Sequence, residues 1–121
     1  MQHLSSTLEI ENLKLLIDNW GTRFFGCTRC VDVCPINSGL PVIITDSPER
    51  LPGFIGGTFN PFTLLGKTKE QVKETFRGNQ LGAEWIPAAA IMRNALISIY
   101  KSSGDKKTLE NYVAGMDKLG F

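Results

Sequence analysis

Apolar side chains in the first twenty residues recur at the spacing of an amphipathic α-helix. Ser6 and Glu9 have the spacing of a capping box, in which a hydroxyl and a carboxylate bind backbone N–H groups at a helix start. Gly21 interrupts the pattern, so we predict one helix that ends there. The apolar residues on its predicted buried face are Ile10, Leu13, Leu16, Ile17 and Trp20.

A second helix is predicted at Thr68. Thr68 and Gln71 form another capping-box pair. The helix that they start carries Val72 and Phe76 on one side and is expected to stop at Gly78.

Pro87 suits the first turn of a longer helix, which the apolar pattern extends to about residue 101. Its apolar stripe covers most of the circumference, so we expect this helix to be central and packed on both neighbours. A turn at residues 102–105 then leads to a final amphipathic helix that ends near Gly120. The apolar positions are Ala88, Ile91, Met92, Ala95, Leu96, Ile97, Ile99 and Tyr100 in the long helix, and Leu109, Tyr112, Val113 and Met116 in the final one.

The middle of the chain is rich in proline and glycine, which predicts little regular structure over residues 37–60. Residues 42–45 are the candidate for a short strand. The Gly-Lys-Thr sequence at 66–68 is typical of a phosphate loop, but the glycine needed five residues before Gly66 is Pro61. We therefore expect a mainly α fold in three parts: a cysteine segment at 1–40, a connecting loop at 41–66 and a helical segment at 67–121.

All three cysteines, Cys27, Cys30 and Cys34, lie within residues 26–36, and Pro35 follows the last one. Bacterial ferredoxin-type sites use the run C-x2-C-x2-C-x3-C-P, and this chain reproduces its last three cysteines and its proline. The position of the first cysteine holds Phe24. We predict that the three thiolates ligate a 4Fe-4S cluster, which leaves one iron to water, a small ligand or a residue from elsewhere.

The spacing of the cysteines lets a turn present Cys27 and Cys30 to one compact centre, with Cys34 about one helical turn further on. Pro35 cannot donate a backbone hydrogen bond, so we expect the chain to leave the cluster in an extended path.

The residues around the cysteines have two possible roles. Phe24 and Phe25 either shield the cluster from water or simply pack in the core. Arg23 and Arg29 would favour the more negative reduced cluster and raise its potential, whereas Asp32 would oppose them.

Other interpretations of the cysteines stay open. Zinc could take the three thiolates with a remote ligand such as His3, although structural zinc usually draws its ligands from two separated pairs. A redox pair of Cys27 and Cys30 would need a βαβ context and leaves Cys34 unexplained. Three inert buried cysteines are the remaining alternative.

Composition bounds the class of protein. The chain has 121 residues, which suffice for one domain with a modest core. A net charge of +1 predicts neither a strong nucleic-acid footprint nor a membrane surface. Clustered cysteines of odd number, without a signal segment or a long apolar run, favour a reducing cytoplasm over a disulfide scaffold.

Three segments together resemble a known family. They are Gly26-Cys27-x-x-Cys30-x-x-Val33-Cys34-Pro35-x-Asn37, Phe76-Arg77-Gly78 and Arg93-Asn94-Ala95-Leu96-Ile97. In this order they look like the C-terminal part of the epoxyqueuosine reductases, which are relatives of the reductive dehalogenases. The resemblance implies cobalamin and two 4Fe-4S clusters, conversion of epoxyqueuosine in tRNA to queuosine, and HEAT-like helical repeats after a ferredoxin-like cysteine loop.

The resemblance also implies a role for each matched cysteine. Cys27, Cys30 and Cys34 correspond to the family's second cysteine group, in which one thiolate ligates the neighbouring cluster and another ligand comes from upstream. The cobalamin-binding half would lie before Met1, so we expect this chain to be a fragment that does not catalyse alone. Where the family often has basic residues, this chain has Gly82, Ala83 and Glu84, which argues against tRNA contact through that stretch.

Two functions follow as hypotheses. In the first, the chain is the electron-transfer portion of a cobalamin-dependent reductase, whose partners are the upstream half, an electron donor and possibly tRNA. In the second, it is a non-catalytic helical module, stapled by zinc or an iron–sulfur cluster, that binds protein or RNA. Colour separates the first hypothesis from the zinc form of the second, because an iron–sulfur protein is brown and a zinc protein is colourless.

Overall fold

The computed structural model describes residues 13–26, 30, 33–39 and 59–120. Across these ranges the protein is mainly helical and contains no β-strand. The predicted strand at 42–45 and the start of the first helix lie outside them. The elements in chain order are α1 (Leu13–Trp20), a 3-10 turn (Pro61–Leu64), α2 (Lys69–Thr75), a 3-10 turn (Gln80–Gly82), α3 (Ala88–Ser103), α4 (Lys106–Gly115) and a 3-10 turn (Met116–Leu119).

Helix α3 is the central element, as its wide apolar stripe predicts. Ten of its sixteen residues are buried, including the polar Asn94 and Ser98. Tyr100 was expected to extend the stripe, but it is 38% exposed because it lies near the end of the helix, beyond the main core. The residues that form this core are Leu64, Val72, Phe76, Leu81, Ile86, Ala88, Ile91, Met92, Ala95 and Leu96.

Helix α2 begins at the predicted capping box. The Thr68 hydroxyl accepts from the Gln71 N–H, and the Gln71 side chain accepts from the Thr68 N–H at 3.0 Å. The helix ends at Thr75, earlier than expected, and residues 76–78 form turns that bring the chain to Gly78 at a φ of 77°. Phe76 lies in these turns and its ring is fully buried. It is therefore a core residue, as predicted, although α2 ends before it.

Helices α3 and α4 contact each other and are joined by a very short connection, at the predicted turn. Gly104 has the left-handed backbone that glycine favours, and Asp105 caps α4 by accepting from the Thr108 N–H at 3.0 Å. Leu109, Tyr112 and Met116 pack against the main core, but α4 has no buried residue and Val113 is 57% exposed. Helix α4 therefore covers one side of α3 from the periphery.

The end of the predicted connecting loop belongs to the core. Asn60 caps the 3-10 turn at Pro61–Leu64 by accepting from the Phe62 N–H at 3.1 Å. Leu64 is fully buried, and Phe59 and Leu65 pack beside it against the same core. The core thus includes residues of the predicted connecting loop as well as residues of the helical segment from 67.

Helix α1 packs on α3 through a small separate cluster. Trp20, at the end of α1, is 1% exposed and contacts Ile97, and the half-buried Ile17 lies beside them. Gly21 follows with a φ of 66°, so the helix ends at the predicted residue. Within the described residues, no helix has the length and apolar character needed to cross a membrane.

Candidate functional site

The cysteine loop, residues 26–36, is the candidate site. The described part of this loop comprises residues 26, 30 and 33–36, so Cys27 lies outside it, as do Arg29 and Asp32. Cys30 is exposed, Cys34 is half-buried, and both carry free thiols. A thiol must be accessible and unpaired to bind a metal centre, and these two meet that condition.

The described residues on their own do not assemble a metal site. Among them no group of three or more His, Cys, Asp or Glu side chains could hold a metal ion. The predicted ligand set needs Cys27 as its third member, and the alternative zinc set would add His3, which also lies outside the described residues. The three-cysteine site therefore stays a prediction.

The chain turns immediately after Cys34 instead of extending. The Cys34 carbonyl accepts from the N–H groups of Asn37 at 3.0 Å and Ser38 at 3.2 Å. The expected extended path is wrong, because the fixed φ of Pro35 also suits the second position of a tight turn. This turn keeps residues 35–39 close to Cys34, and it leaves Val33 and Ile36 71% and 83% exposed on either side of the Cys34 and Pro35 pair.

The segment that enters the cysteine loop is fixed to the helices by hydrogen bonds. The Trp20 indole N–H donates to the Arg23 carbonyl, and the Arg23 guanidinium donates back to the Trp20 carbonyl at 3.1 Å. The Ser98 hydroxyl, on α3, donates to the Thr22 carbonyl at 2.8 Å. The structure shows that Arg23 holds the turn that ends α1, and the expected effect of its charge on a cluster stays a prediction.

Phe24 and Phe25 pack against the main core. The Phe24 ring lies 4.8 Å from the Phe59 ring and 5.9 Å from the Phe76 ring, measured between centroids. The core-packing interpretation of these two residues is therefore confirmed. Shielding of a cluster by the same rings stays a prediction.

The Gly-Lys-Thr sequence at 66–68 has a structural role, as its context predicts. Thr68 caps α2, and the Lys67 ammonium donates to the Thr75 hydroxyl at 3.0 Å. Gly66 has a φ of 81°, which is the turn conformation that glycine favours. These contacts account for each residue of the sequence without a phosphate.

Lys73 holds together the loop before α3, a role that sequence reasoning missed. Its ammonium donates to the carbonyls of Leu81 at 3.3 Å, of Ala83 at 2.5 Å and of Ile86 at 2.8 Å. Burial lowers the pKa of Lys73, and the charge of Glu84 opposes that shift. No local sequence signal marks this arrangement, because the three carbonyls belong to backbone eight to thirteen residues away.

The downstream residues that carry the family resemblance are largely structural. Phe76 and Ala95 are fully buried, and Gly78 occupies a turn with positive φ. Asn94 is also fully buried and accepts from the Arg93 guanidinium at 2.8 Å, while burial lowers the pKa of Arg93.

Comparison with known proteins supports a distant relationship at most. Over 79 residues the chain is 29% identical to the epoxyqueuosine reductase of Bacillus subtilis (strain 168). The matched stretch is 65% of this chain and 19% of that protein, so the chain spans about a fifth of the length of this curated relative. No family model and no solved structure match the chain.

Proposed function

We propose that this chain is the iron–sulfur, electron-transfer portion of a cobalamin-dependent reductase that resembles the epoxyqueuosine reductases. The observation that carries the proposal is the run Cys27, Cys30, Cys34 and Pro35, at ferredoxin spacing, in a chain with distant similarity to an epoxyqueuosine reductase. Cys27, Cys30 and Cys34 would hold the cluster. A 4Fe-4S cluster bound there would accept and release one electron at a time.

The environment of the described thiols fits thiolate ligation of iron. Cys30 and Cys34 are free and reachable from solvent, and the turn after Pro35 fixes the backbone on one side of Cys34. On the other side, Trp20 and Phe24 attach the entering segment to a buried core. A loop that is fixed near its ligands loses less conformational freedom when it binds a centre than a free loop does.

The rest of the proposed assembly follows from the resemblance. The chain supplies three thiolates, so the fourth ligand of a cube is water, a small molecule or a residue from another segment. Cobalamin and a second cluster would be bound by an upstream half of the same protein, and tRNA is the proposed substrate. Thiolate ligation of iron in this form suits a reducing cytoplasm.

Reduction of the anaerobically reconstituted protein tests the electron-transfer role. Dithionite should bleach the visible absorption and produce a paramagnetic signal that disappears on reoxidation. Cys34→Ala should lose the signal. Ser38→Ala should keep it, because the contact of Ser38 with Cys34 is made by its backbone N–H. A protein that takes up no electron, or a Cys34→Ala variant with an unchanged signal, would contradict the proposal.

A further inference from the structure

The Lys73 ammonium lies among three backbone carbonyls of the loop between α2 and α3. The oxygens of Leu81, Ala83 and Ile86 lie 3.3, 2.5 and 2.8 Å from its Nζ atom. A lysine ammonium has three N–H donors and no acceptor, so these carbonyls satisfy every donor that it carries. We call the three oxygens the carbonyl cradle.

Other contacts also hold the loop that forms the carbonyl cradle. The Asn79 side chain accepts from the Leu81 N–H at 3.0 Å, and the Ala83 carbonyl also accepts from the Ile86 N–H at 3.1 Å. Leu81 is 4% exposed and Ile86 is fully buried in the main core. Because these contacts do not involve the ammonium, we expect the three oxygens to keep their places when the Lys73 side chain is shortened.

The chemistry of the carbonyl cradle selects a cation. Carbonyl oxygens that converge on one point attract positive charge, because each presents the negative end of its dipole. The negative charge of Glu84, in the same loop, favours the charged form of Lys73. A group that carries positive charge and N–H donors therefore fits the cradle, whereas an anion does not.

We propose that the carbonyl cradle is a binding site for a primary ammonium group, and that Lys73 fills it from within the chain. The site involves no residue of the cysteine loop and does not depend on the proposed function. When Lys73 is shortened to alanine, the cradle should take a free alkylammonium ion instead. Lys73→Ala removes three carbons and the ammonium group beyond Cβ, and n-propylammonium replaces this missing part.

Thermal denaturation of the full chain in n-propylammonium chloride tests the site, with sodium chloride at the same ionic strength as the reference. Lys73→Ala should have a lower Tm than wild type in sodium chloride, because the three carbonyls lose their donor. n-Propylammonium is protonated at about pH 7. It should restore about half or more of the lost Tm, and the gain should rise with its concentration. Tetramethylammonium has the same charge but no N–H donor, so it should restore nothing.

Matched variants separate a binding site from a general effect of the amine. Lys69→Ala shortens an exposed lysine of the same helix, and it should respond to n-propylammonium only as much as wild type does. Lys73→Met fills the space of the lysine stem, leaves no room for the propyl chain and should respond no more than wild type. If Lys73→Ala does not fold in sodium chloride, its refolding yield in each salt, followed by circular dichroism, replaces the Tm.

The outcomes decide whether the carbonyl cradle binds an ammonium group. Recovery of Lys73→Ala by n-propylammonium, without recovery by tetramethylammonium, supports the site. A Tm or refolding yield of Lys73→Ala that is the same in n-propylammonium and in sodium chloride overturns it. An equal gain in Lys69→Ala or Lys73→Met also overturns it, because the stabilisation would then come from general binding of the amine.

Discussion

The ring of Phe24 stacks on the ring of Phe76, with centroids 5.9 Å apart and planes inclined by 25°. Phe24 stands where a ferredoxin run has its first cysteine, and Phe76 is fully buried at the end of α2. Phe59 completes the cluster, 5.2 Å from the Phe76 ring. The residue in place of the missing cysteine thus joins the cysteine segment to the helical core.

This aromatic cluster gives the first prediction. Phe76→Ala should lower the free energy of unfolding by about 3 to 5 kcal/mol, as for other buried aromatic rings, and Phe24→Ala by less because Phe24 is only half-buried. Chemical denaturation measures both changes. Phe62→Ala, at a 47% exposed position, is the control and should stay within about 0.5 kcal/mol of wild type. A Phe24→Ala variant as stable as this control would show that the cluster does not hold the segment.

A second prediction concerns the close approach of Gly82 to the chain after α2. A Cβ at Gly82 would lie 2.2 Å from the Phe76 carbonyl oxygen, and backbone atoms cannot move away as a flexible side chain could. Gly82→Ala should therefore destabilise the fold, by about 1 to 3 kcal/mol. Gly115→Ala is the matched control, since a Cβ at this helical residue meets nothing within 4 Å.

The control variant Gly115→Ala is not expected to lose stability. Gly115 lies at the end of α4 without a positive φ, so alanine there should leave the stability unchanged or raise it by up to about 1 kcal/mol. Thermal denaturation of both variants checks the pair. Equal effects of the two substitutions would contradict the close approach at Gly82.

The third prediction tests the carbonyls gathered by Lys73. Lys73→Met keeps the aliphatic stem but removes the donor shared by Leu81, Ala83 and Ile86. We expect a loss of about 1 to 3 kcal/mol in the free energy of unfolding, the range for partly buried groups left without a partner. Lys69→Met, at an exposed position of the same helix, should have little effect. Equal stabilities of the two variants would show that water satisfies the three carbonyls as well as Lys73 does.

The fourth prediction is a pH dependence at the start of α4. The Thr108 hydroxyl and then the Thr108 N–H bind the Asp105 carboxylate and hold its pKa below the usual value. Because the folded pKa is the lower one, the stabilisation is complete above the unfolded pKa near 4 and is lost as the pH falls through the folded pKa.

Asp105→Asn tests this predicted loss of stability at low pH, because an asparagine amide caps the helix but does not titrate. Between about pH 6 and about pH 3 the Tm of wild type should fall more than the Tm of Asp105→Asn. Glu70, whose pKa is also lowered, is present in both proteins and cancels in the comparison. Parallel Tm curves for the two proteins would contradict a role for the Asp105 charge.

Local signals made much of the fold predictable. The capping pair Thr68 and Gln71 and the end of α1 at Gly21 depend on neighbours within four residues, and both predictions are confirmed. Pro87 was predicted in the first turn of α3 and lies one residue before the helix, at its N-cap. The sequence did not predict that Leu64 belongs to the core, because a short apolar run among prolines and glycines shows no helical or strand periodicity. Tyr100 fits the apolar period of α3, but only the packed structure shows where the core stops.

For the candidate site, the sequence shows the spacing of the cysteines, but it does not predict the contacts around the cysteine segment. The bond between Ser98 and Thr22 depends on how α1 and the cysteine segment lie on α3, which no local pattern encodes. The turn after Pro35 was missed because proline suits both an extended path and a turn. Cys27 and His3 lie outside the described residues, so the ligand set itself stays a prediction.

The metal and sulfide content of anaerobically purified protein tests the central claim most directly. If Cys27, Cys30 and Cys34 bind an iron–sulfur cluster, the protein should be brown, contain iron and acid-labile sulfide in similar amounts, and contain little zinc. Cys30→Ala should lose the iron, the sulfide and the visible absorption, whereas Ser102→Ala should keep all three. A colourless protein with one zinc, or a Cys30→Ala variant with unchanged iron and sulfide, would contradict the claim that these cysteines bind an iron–sulfur cluster.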